Sequence, residues 1–218
     1  MATLEELRTR VVRIIHDDAY TDDDVDGFIN EAYKACAGKV LLPDLMSTGN
    51  ITVLAGAMST AIPTAWNFDR NLYLCASADS KNAVKVYSSI ALLTHDFPAY
   101  TFNPAIGSIE ACTATQLSFI SYPKPSASEI LNCAFYKKVT PLVNDTDVPL
   151  VLPEHMHFLL LVSGACAEIF TEKEEGIDGV MINTNKYSKR FKDAIEELGN
   201  YFKTGQSRPA KSNRIAFI

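Results

Sequence analysis

The stretch Phe158-Leu-Leu-Leu-Val-Ser-Gly-Ala-Cys-Ala-Glu-Ile-Phe170 is apolar on almost every side of a helix. A helix without a polar face must be covered by neighbours on several sides, so this segment predicts the centre of a helical core. Pro153 and Glu154 stand just before it, and proline suits the first position of a helix. The small residues Gly164 and Ala165 leave room for another helix to approach closely.

Helical patterns at both ends of the chain supply neighbours for this core. Thr3 and Glu6 form a capping box that predicts a first helix, and Thr21 caps a second one. Near the other end, apolar residues recur at helical spacing, namely Tyr187, Phe191, Ala194, Ile195, Leu198 and Phe202. The N-terminal and C-terminal helix pairs therefore predict a helical bundle, a discontinuous assembly domain built from residues 1–46 and 153–204.

Between these helix pairs, residues 47–152 show the patterns of a β region. Short apolar or alternating runs are separated by Gly, Pro, Asn and Asp, which is typical of strands joined by turns. The candidate strands are Ile51–Leu54, Leu72–Ala76, Ala83–Tyr87, Ser108–Thr113, Gln116–Ile120 and Leu131–Tyr136. We predict an α+β protein in which an antiparallel β domain, sandwich-like or barrel-like, is inserted into the helical bundle.

Residues 205–218 have no periodic face, and Gly205 is the expected end of the last helix. This segment contains three cations and no acid, so the rest of the chain is more acidic than the net charge of −6. An acidic body with a basic arm predicts an extended C-terminal tail that docks on a partner, whereas a frayed terminus is the plainer alternative. The candidate partner-binding residues are Arg208, Lys211, Arg214, Ile215, Phe217 and Ile218.

Several motifs resemble metal sites, but each has a simpler explanation. Asp22, Asp24 and Asp26 begin like an EF-hand loop, yet Tyr33 stands where that loop needs a bidentate glutamate. Acidic residues also suit a helix N-terminus without any metal. His155 and His157 lie two residues apart, whereas a helical zinc pair requires a spacing of four. The sequence therefore predicts no metal site.

Catalytic candidates are equally weak. His95 and Asp96 are neighbours in an expected loop, without the serine elbow of a hydrolase. Cys166 falls in the apolar helix, where a thiol stays protonated and is a poor nucleophile. No glycine-rich phosphate loop is present. We predict a protein that is not an enzyme and has no cofactor or catalytic residues.

The cysteines and the hydropathy pattern indicate the compartment. The chain has five cysteines, an odd number without a C-x-x-C pair, which predicts buried, reduced thiols of a protein made in a cytoplasm. The most apolar segment, residues 156–167, is too short to span a bilayer. We therefore expect no membrane association.

Three segments together resemble the head–tail connector proteins of tailed bacteriophages, also called adaptor or head-completion proteins. The first is the pair Leu4-Glu-Glu-Leu-Arg-Thr-Arg10 and Asp24-Val-Asp-Gly-Phe-Ile-Asn-Glu-Ala32. The second runs from Leu117-Ser-Phe-Ile-Ser-Tyr-Pro-Lys-Pro125 to Ala134-Phe-Tyr-Lys-Lys138 and Pro141-Leu142. The third is Leu152-Pro-Glu-His-Met-His157 with the later Tyr187-Ser-Lys-Arg-Phe191. Residues 55–102 carry no such likeness.

This resemblance implies a structural protein of the virion, made in the host bacterial cytoplasm. Such proteins form a ring, commonly of twelve copies, under the portal protein, where they extend the DNA channel and present a surface to tail or nozzle proteins. Double-stranded DNA would pass through the channel without specific binding. The C-terminal segment of such proteins often reaches into the portal, which is the role expected here for the arm.

A different function is an alternative for the middle of the chain. Aromatic residues between Trp66 and Phe102 are suited to stacking on sugars, so the β region is also consistent with a virion module that binds carbohydrate or a tail or fibre partner. Aromatic residues spread over a β region are, however, more often part of its core.

Overall fold

A computed structural model describes residues 1–17, 19–102, 104–174 and 181–206. The fold is α+β, and the chain divides into two compact units. One unit combines Met1–Leu42 with the chain from Val139 onward, and the other is Pro43–Lys138. Residues 139–152, which the sequence analysis grouped with the β region, therefore group with the helices instead.

The first unit is built from four long helices and a short irregular entry to one of them. The helices are α1 (Leu4–Ile15), α2 (Asp22–Lys39), α5 (Ser163–Glu174) and α6 (Ile182–Gln206), and a 3-10 turn (Glu154–Met156) and a π-helical turn (Phe158–Val162) precede α5. The predicted capping box at Thr3 is confirmed, because the Thr3 hydroxyl accepts from the Glu6 amide. The predicted cap at Thr21 is also confirmed, because its hydroxyl accepts from the Asp24 amide, and Asp24 completes a second capping box there.

Helix α5 lies at the centre of this unit, and the prediction that its apolar segment is buried on several sides is confirmed. It contacts α1, α2 and α6, and its residues from Ser163 to Ala167 are all buried. Gly164 is required for this packing, since a β-carbon there would lie 2.5 Å from the Ala32 β-carbon and 3.0 Å from the Phe191 ring. The sequence signal of small residues in α5 thus corresponds to close contacts within the chain.

The second unit is a curled mixed sheet. Its strands are β1 (Met46–Val53), β2 (Ser59–Ala61), β3 (Phe68–Ser77), β4 (Ala83–Val86), β5 (Ile106–Gly107), β6 (Ala111–Ala114), β7 (Ser118–Tyr122), β8 (Lys124–Pro125) and β9 (Glu129–Lys137). Seven of them form one sheet in the order β1-β9-β3-β4-β6-β7-β2, and the two end strands, β1 and β2, approach each other. Strands β5 and β8 form a separate pair.

The expectation of an antiparallel β domain is wrong in two places. Strand β4 pairs with β6 in parallel, and so does β5 with β8. A parallel pair requires a crossover connection, which is usually helical. The segment between β4 and β6 supplies it with two short helices, α3 (Ile90–Asp96) and α4 (Ala99–Phe102). His95 and Asp96, expected in a loop, therefore end a helix.

The core of the second unit forms on the inner face of the sheet. The Trp66 ring stacks on Phe135 with 4.3 Å between the ring centroids. The Trp66 indole also lies against Gly49, where a β-carbon would be 2.5 Å from the indole nitrogen. Strand β1 therefore needs a glycine at this position so that the indole can lie flat against the sheet.

Candidate functional site

The residues of the predicted docking arm, Arg208, Lys211, Arg214, Ile215, Phe217 and Ile218, lie outside the described residues. Helix α6 is described as far as Gln206, one residue beyond the end expected at Gly205. Near this end of the helix, the half-exposed Tyr201 packs against the His155 ring, with 5.5 Å between the centroids. The last turns of α6 therefore lie beside the 3-10 turn of the first unit.

Arg8 on α1 joins three parts of the first unit. Its Nε donates to Asp26 Oδ1 at 2.8 Å, and its Nη2 donates to Asp26 Oδ2 at 2.6 Å and to Asp145 Oδ1 at 2.8 Å. These carboxylates raise the pKa of Arg8 above its already high ordinary value, the hydrogen bond with Asp26 being the largest cause. A two-pronged contact of this kind needs the planar guanidinium of arginine.

Asn30 on α2 binds the main chain of Leu142, in the loop that also contains Asp145. Its amide nitrogen donates to the Leu142 carbonyl at 2.9 Å, and its amide oxygen accepts from the Leu142 N–H at 2.8 Å. The first N–H groups of a helix have no acceptor within the helix. At the start of α1, the Leu4 N–H donates to the Asp147 carbonyl of the same loop at 2.9 Å. Two residues of the motifs that carried the resemblance, Arg8 and Asn30, thus fix residues 142–147 against α1 and α2.

The carboxylates of the EF-hand-like motif have other roles. Asp24 completes the capping box of α2, and its hydrogen bonds with the Thr21 hydroxyl and amide hold the pKa of its carboxyl below the ordinary range. Asp26 binds Arg8, and the exposed Asp22 is 3.7 Å from the same guanidinium. The described residues contain no group of three or more side chains suited to holding a metal ion.

The two histidines before α5 lie in different surroundings. His157 is buried, and its Nε2 is 3.1 Å from the Leu152 carbonyl. Burial lowers its pKa, so the neutral ring is favoured. His155 instead packs on Tyr201. The pair does not converge on a common point, as its spacing predicted.

Asp96 is the centre of a polar contact that ties α3 to β4. Its carboxylate accepts from the Tyr87 hydroxyl at 2.6 Å and from Lys85 Nζ at 3.2 Å, and it lies 3.2 Å from His95 Nδ1. These contacts lower the pKa of Asp96 to about 2, and the tyrosine is the largest cause. These contacts hold α3 in place. They bring no serine or cysteine to the His95–Asp96 pair.

All five cysteines are buried free thiols, as predicted. Burial raises the pKa of Cys166 and of Cys36 to about 12, so both stay protonated. Cys75 and Cys133 are directly paired on β3 and β9, with their sulfurs 3.7 Å apart. Protonated thiols in apolar surroundings are weak nucleophiles, so they pack like small apolar side chains.

Most aromatic residues of the β region pack against other residues of the same unit. Trp66, Phe68 and Tyr87 are buried, and the Phe97 ring lies 4.5 Å from that of Tyr122. Tyr73 is the more exposed exception, at 38 %. A sugar-binding platform needs exposed ring faces, so these contacts favour a core role for most of this group.

What the first unit does expose is a set of charged helix faces and a groove. A groove of about 980 Å³ runs between α1 and the entry to α5, and its lining includes Glu5, Arg10, Arg13, Glu154 and the half-exposed Phe158. The exposed surface of α6 is also rich in charge.

None of the described helices is long and apolar enough to cross a membrane. The helical unit with its charged faces and the curled sheet with its own aromatic core define a protein of the α+β class.

A family model described as SU10 adaptor protein matches residues 2–215, nearly the whole chain, and the protein belongs to this family. The resemblance to phage head–tail adaptors is thereby confirmed, and the protein is a bacteriophage adaptor that works in the virion through contacts with head and tail components. No curated protein matches the chain.

Proposed function

We propose that this adaptor forms a homo-oligomeric ring, of about twelve copies as its family resemblance implies, under the portal. The ring extends the DNA channel, joins the capsid to tail or nozzle proteins, and lets double-stranded DNA pass without specific binding. The subunit is made in the host cytoplasm and acts as a structural protein without catalysis. The family membership over residues 2–215 is the observation that carries this proposal.

The arm is the portal-docking segment in this proposal. The family match extends through Ile215, so Arg208, Lys211 and Arg214 belong to the part of the chain that resembles other adaptors. Basic side chains would fix the register of the arm on an acidic surface, and Ile215, Phe217 and Ile218 would fill apolar pockets. The helical unit, from which the arm departs, would be the part that associates with neighbouring subunits.

Deletion of the residues after Thr204 tests the role of the arm. We expect the truncated chain to keep the circular dichroism and melting temperature of the full chain and to lose binding to purified portal. The finer variant, Arg208→Glu with Lys211→Glu and Arg214→Glu, should weaken binding at least about tenfold. Lys81→Glu with Lys138→Glu, in the second unit, is the control for added negative charge. Portal binding that survives the deletion would disprove the docking role.

A further inference from the structure

One face of α6 carries a block of cations in the first half of the helix. Lys186, Lys189, Arg190 and Lys192 are all exposed. Within the described part of the chain none of them forms an ion pair. Residues three and four apart are neighbours on a helix, so Lys186, Lys189 and Arg190 repel one another. Asp193 stands four residues after Lys189 and three after Arg190, so it offsets part of this repulsion, and the net positive charge is confined to the first turns of the face.

The ends of α6 follow the usual order of charges, because the Glu174 carboxylate accepts from the Asn183 and Thr184 amides at its start and Lys203 lies in its last turn. The exposed face between these ends has the opposite order. The cations come first, the exposed acids Asp193, Glu196 and Glu197 follow, and the first turn contains no acid. The helix dipole favours acids near the N-terminus and cations near the C-terminus. Because α6 buries other residues, such as Tyr187 and Leu198, its charged face is not explained by packing within the subunit.

The outer face of α2 has the opposite order of charges. Asp23, Gly27, Glu31, Lys34 and Gly38 follow one another at steps of three and four, and all are exposed. Acids therefore come first on this face and a cation follows. A β-carbon added at Gly27 or Gly38 would meet nothing within 4 Å, so no contact inside the chain requires a glycine there. Both positions leave room for the backbone of a second helix to approach.

We propose that the cationic face of α6 in one copy packs, in parallel, along the outer face of α2 in a second copy. In that orientation Lys186 and Lys189 lie in the half that faces Asp23, and Glu197 lies in the half that faces Lys34. An antiparallel arrangement would bring like charges together. The inference rests on the proposed homo-oligomer and names the surfaces that join its subunits.

The two faces are different surfaces of the same chain, so the contact is heterologous. Heterologous contacts repeat from copy to copy and produce closed rings when the rotation closes. The faces are available for this contact because α2 and α6 each use another side to pack against α5. The contact would add neighbours to both helices without opening the core of the unit.

A charge swap on the full-length chain tests this contact. Variant one carries Lys186→Glu and Lys189→Glu, and variant two carries Asp23→Lys and Glu31→Lys. Each variant alone would have two faces of the same sign, so self-association measured by sedimentation should weaken at least about tenfold. An equimolar mixture should recover the wild-type association, because every contact in it pairs opposite charges.

The control is Lys81→Glu with Lys138→Glu, which changes the same charge in the second unit and should associate like wild type. Raising the salt concentration from about 0.05 M to about 0.5 M should weaken wild-type association, since exposed charges are screened. A mixture that fails to recover, or a wild-type chain that stays monomeric at every concentration, would overturn the inference. So would variant one if it kept wild-type association and lost only binding to a duplex DNA fragment.

This result can be separated from the test of the proposed function. Multimers that form with wild-type strength in both charge-swap variants would place the contact elsewhere and leave the ring itself standing. Loss of portal binding on deletion of the arm, with self-association unchanged, would support the docking role independently of this contact.

Discussion

Arg8 has a side chain only 14 % exposed and binds Asp26, which is 17 % exposed. Replacing it by alanine leaves the Asp26 carboxylate partly buried without its main partner, and removal of one member of such a pair costs about 2–4 kcal/mol. We expect Arg8→Ala to lower the free energy of unfolding by about that amount in urea denaturation. Arg8→Lys keeps the charge but not the fork, so its loss should be smaller. Equal stability of Arg8→Ala and wild type would contradict this role.

Asp96 gives a prediction for the dependence of stability on pH. Its pKa in the folded chain is about 2, whereas an unfolded aspartate titrates at about 4. Between these values the unfolded chain binds more protons, so the contribution of Asp96 is complete above about pH 4 and is lost as the pH falls towards 2. Urea midpoints of wild type and Asp96→Asn should therefore differ most at pH 5, and the difference should narrow as the pH falls to 2.5. A difference that is constant over this range would exclude this linkage.

Residues whose partners are near in sequence could be predicted, and those with distant partners could not. The capping box at Thr3 and the cap at Thr21 were recognised because each depends only on residues within the next turn. The bonds from Arg8 to Asp145 and from Asn30 to Leu142 span most of the chain. Nothing in the local pattern around either residue indicates such a partner.

At the scale of elements, two glycines on helices provide a matched comparison. Gly164→Ala places a β-carbon against Ala32 and Phe191, so we expect overpacking to cost about 1–3 kcal/mol of unfolding free energy. Gly27→Ala makes the same chemical change on an exposed helix face with open space around it. There alanine should stabilise the monomer by about 0.5–1 kcal/mol, because it loses less backbone freedom on folding. Urea denaturation of both variants would show whether the two substitutions change the free energy of unfolding in opposite directions.

The sequence predicted most strands because their apolar runs are bounded by turn residues, but it missed the helical crossover. Helix α3 has a single buried residue, Leu93, and is too short to show a helical period. Without this helix, nothing in the sequence indicated a parallel pair such as β4 with β6. The π-helical turn before α5 was also missed. Its residues and those of α5 that follow are almost all apolar, so the sequence shows no change of period where the π-helical turn ends and α5 begins.

Buried cysteines in both units allow the unfolding of each unit to be followed separately. Cys36 and Cys166 lie in the first unit, and Cys75, Cys112 and Cys133 lie in the second. All are buried, so we expect none to react with a maleimide in a short pulse under native conditions. In rising urea, the thiols of one unit should become reactive at one common concentration, which mass spectrometry can read separately for each unit. Different midpoints within one unit would show that it does not unfold cooperatively.

The division of the chain into helical ends and a β middle could be predicted from the change of hydrophobic period alone. Its second boundary could not, because residues 139–152 have no periodic pattern and are assigned only by their bonds to α1 and α2. The six residues of the predicted docking arm remain a prediction, since a segment without a periodic face offers no packing pattern from which its partner can be deduced.

The split of the first unit has a consequence for biosynthesis. The second unit is one continuous piece of chain, so all of it is translated before α5 and α6. Helices α1 and α2 emerge earliest, yet the segment that Arg8 and Asn30 bind is translated more than a hundred codons later. The β unit can therefore fold during translation, whereas the helical unit can be completed only after α5 and α6 have also been translated.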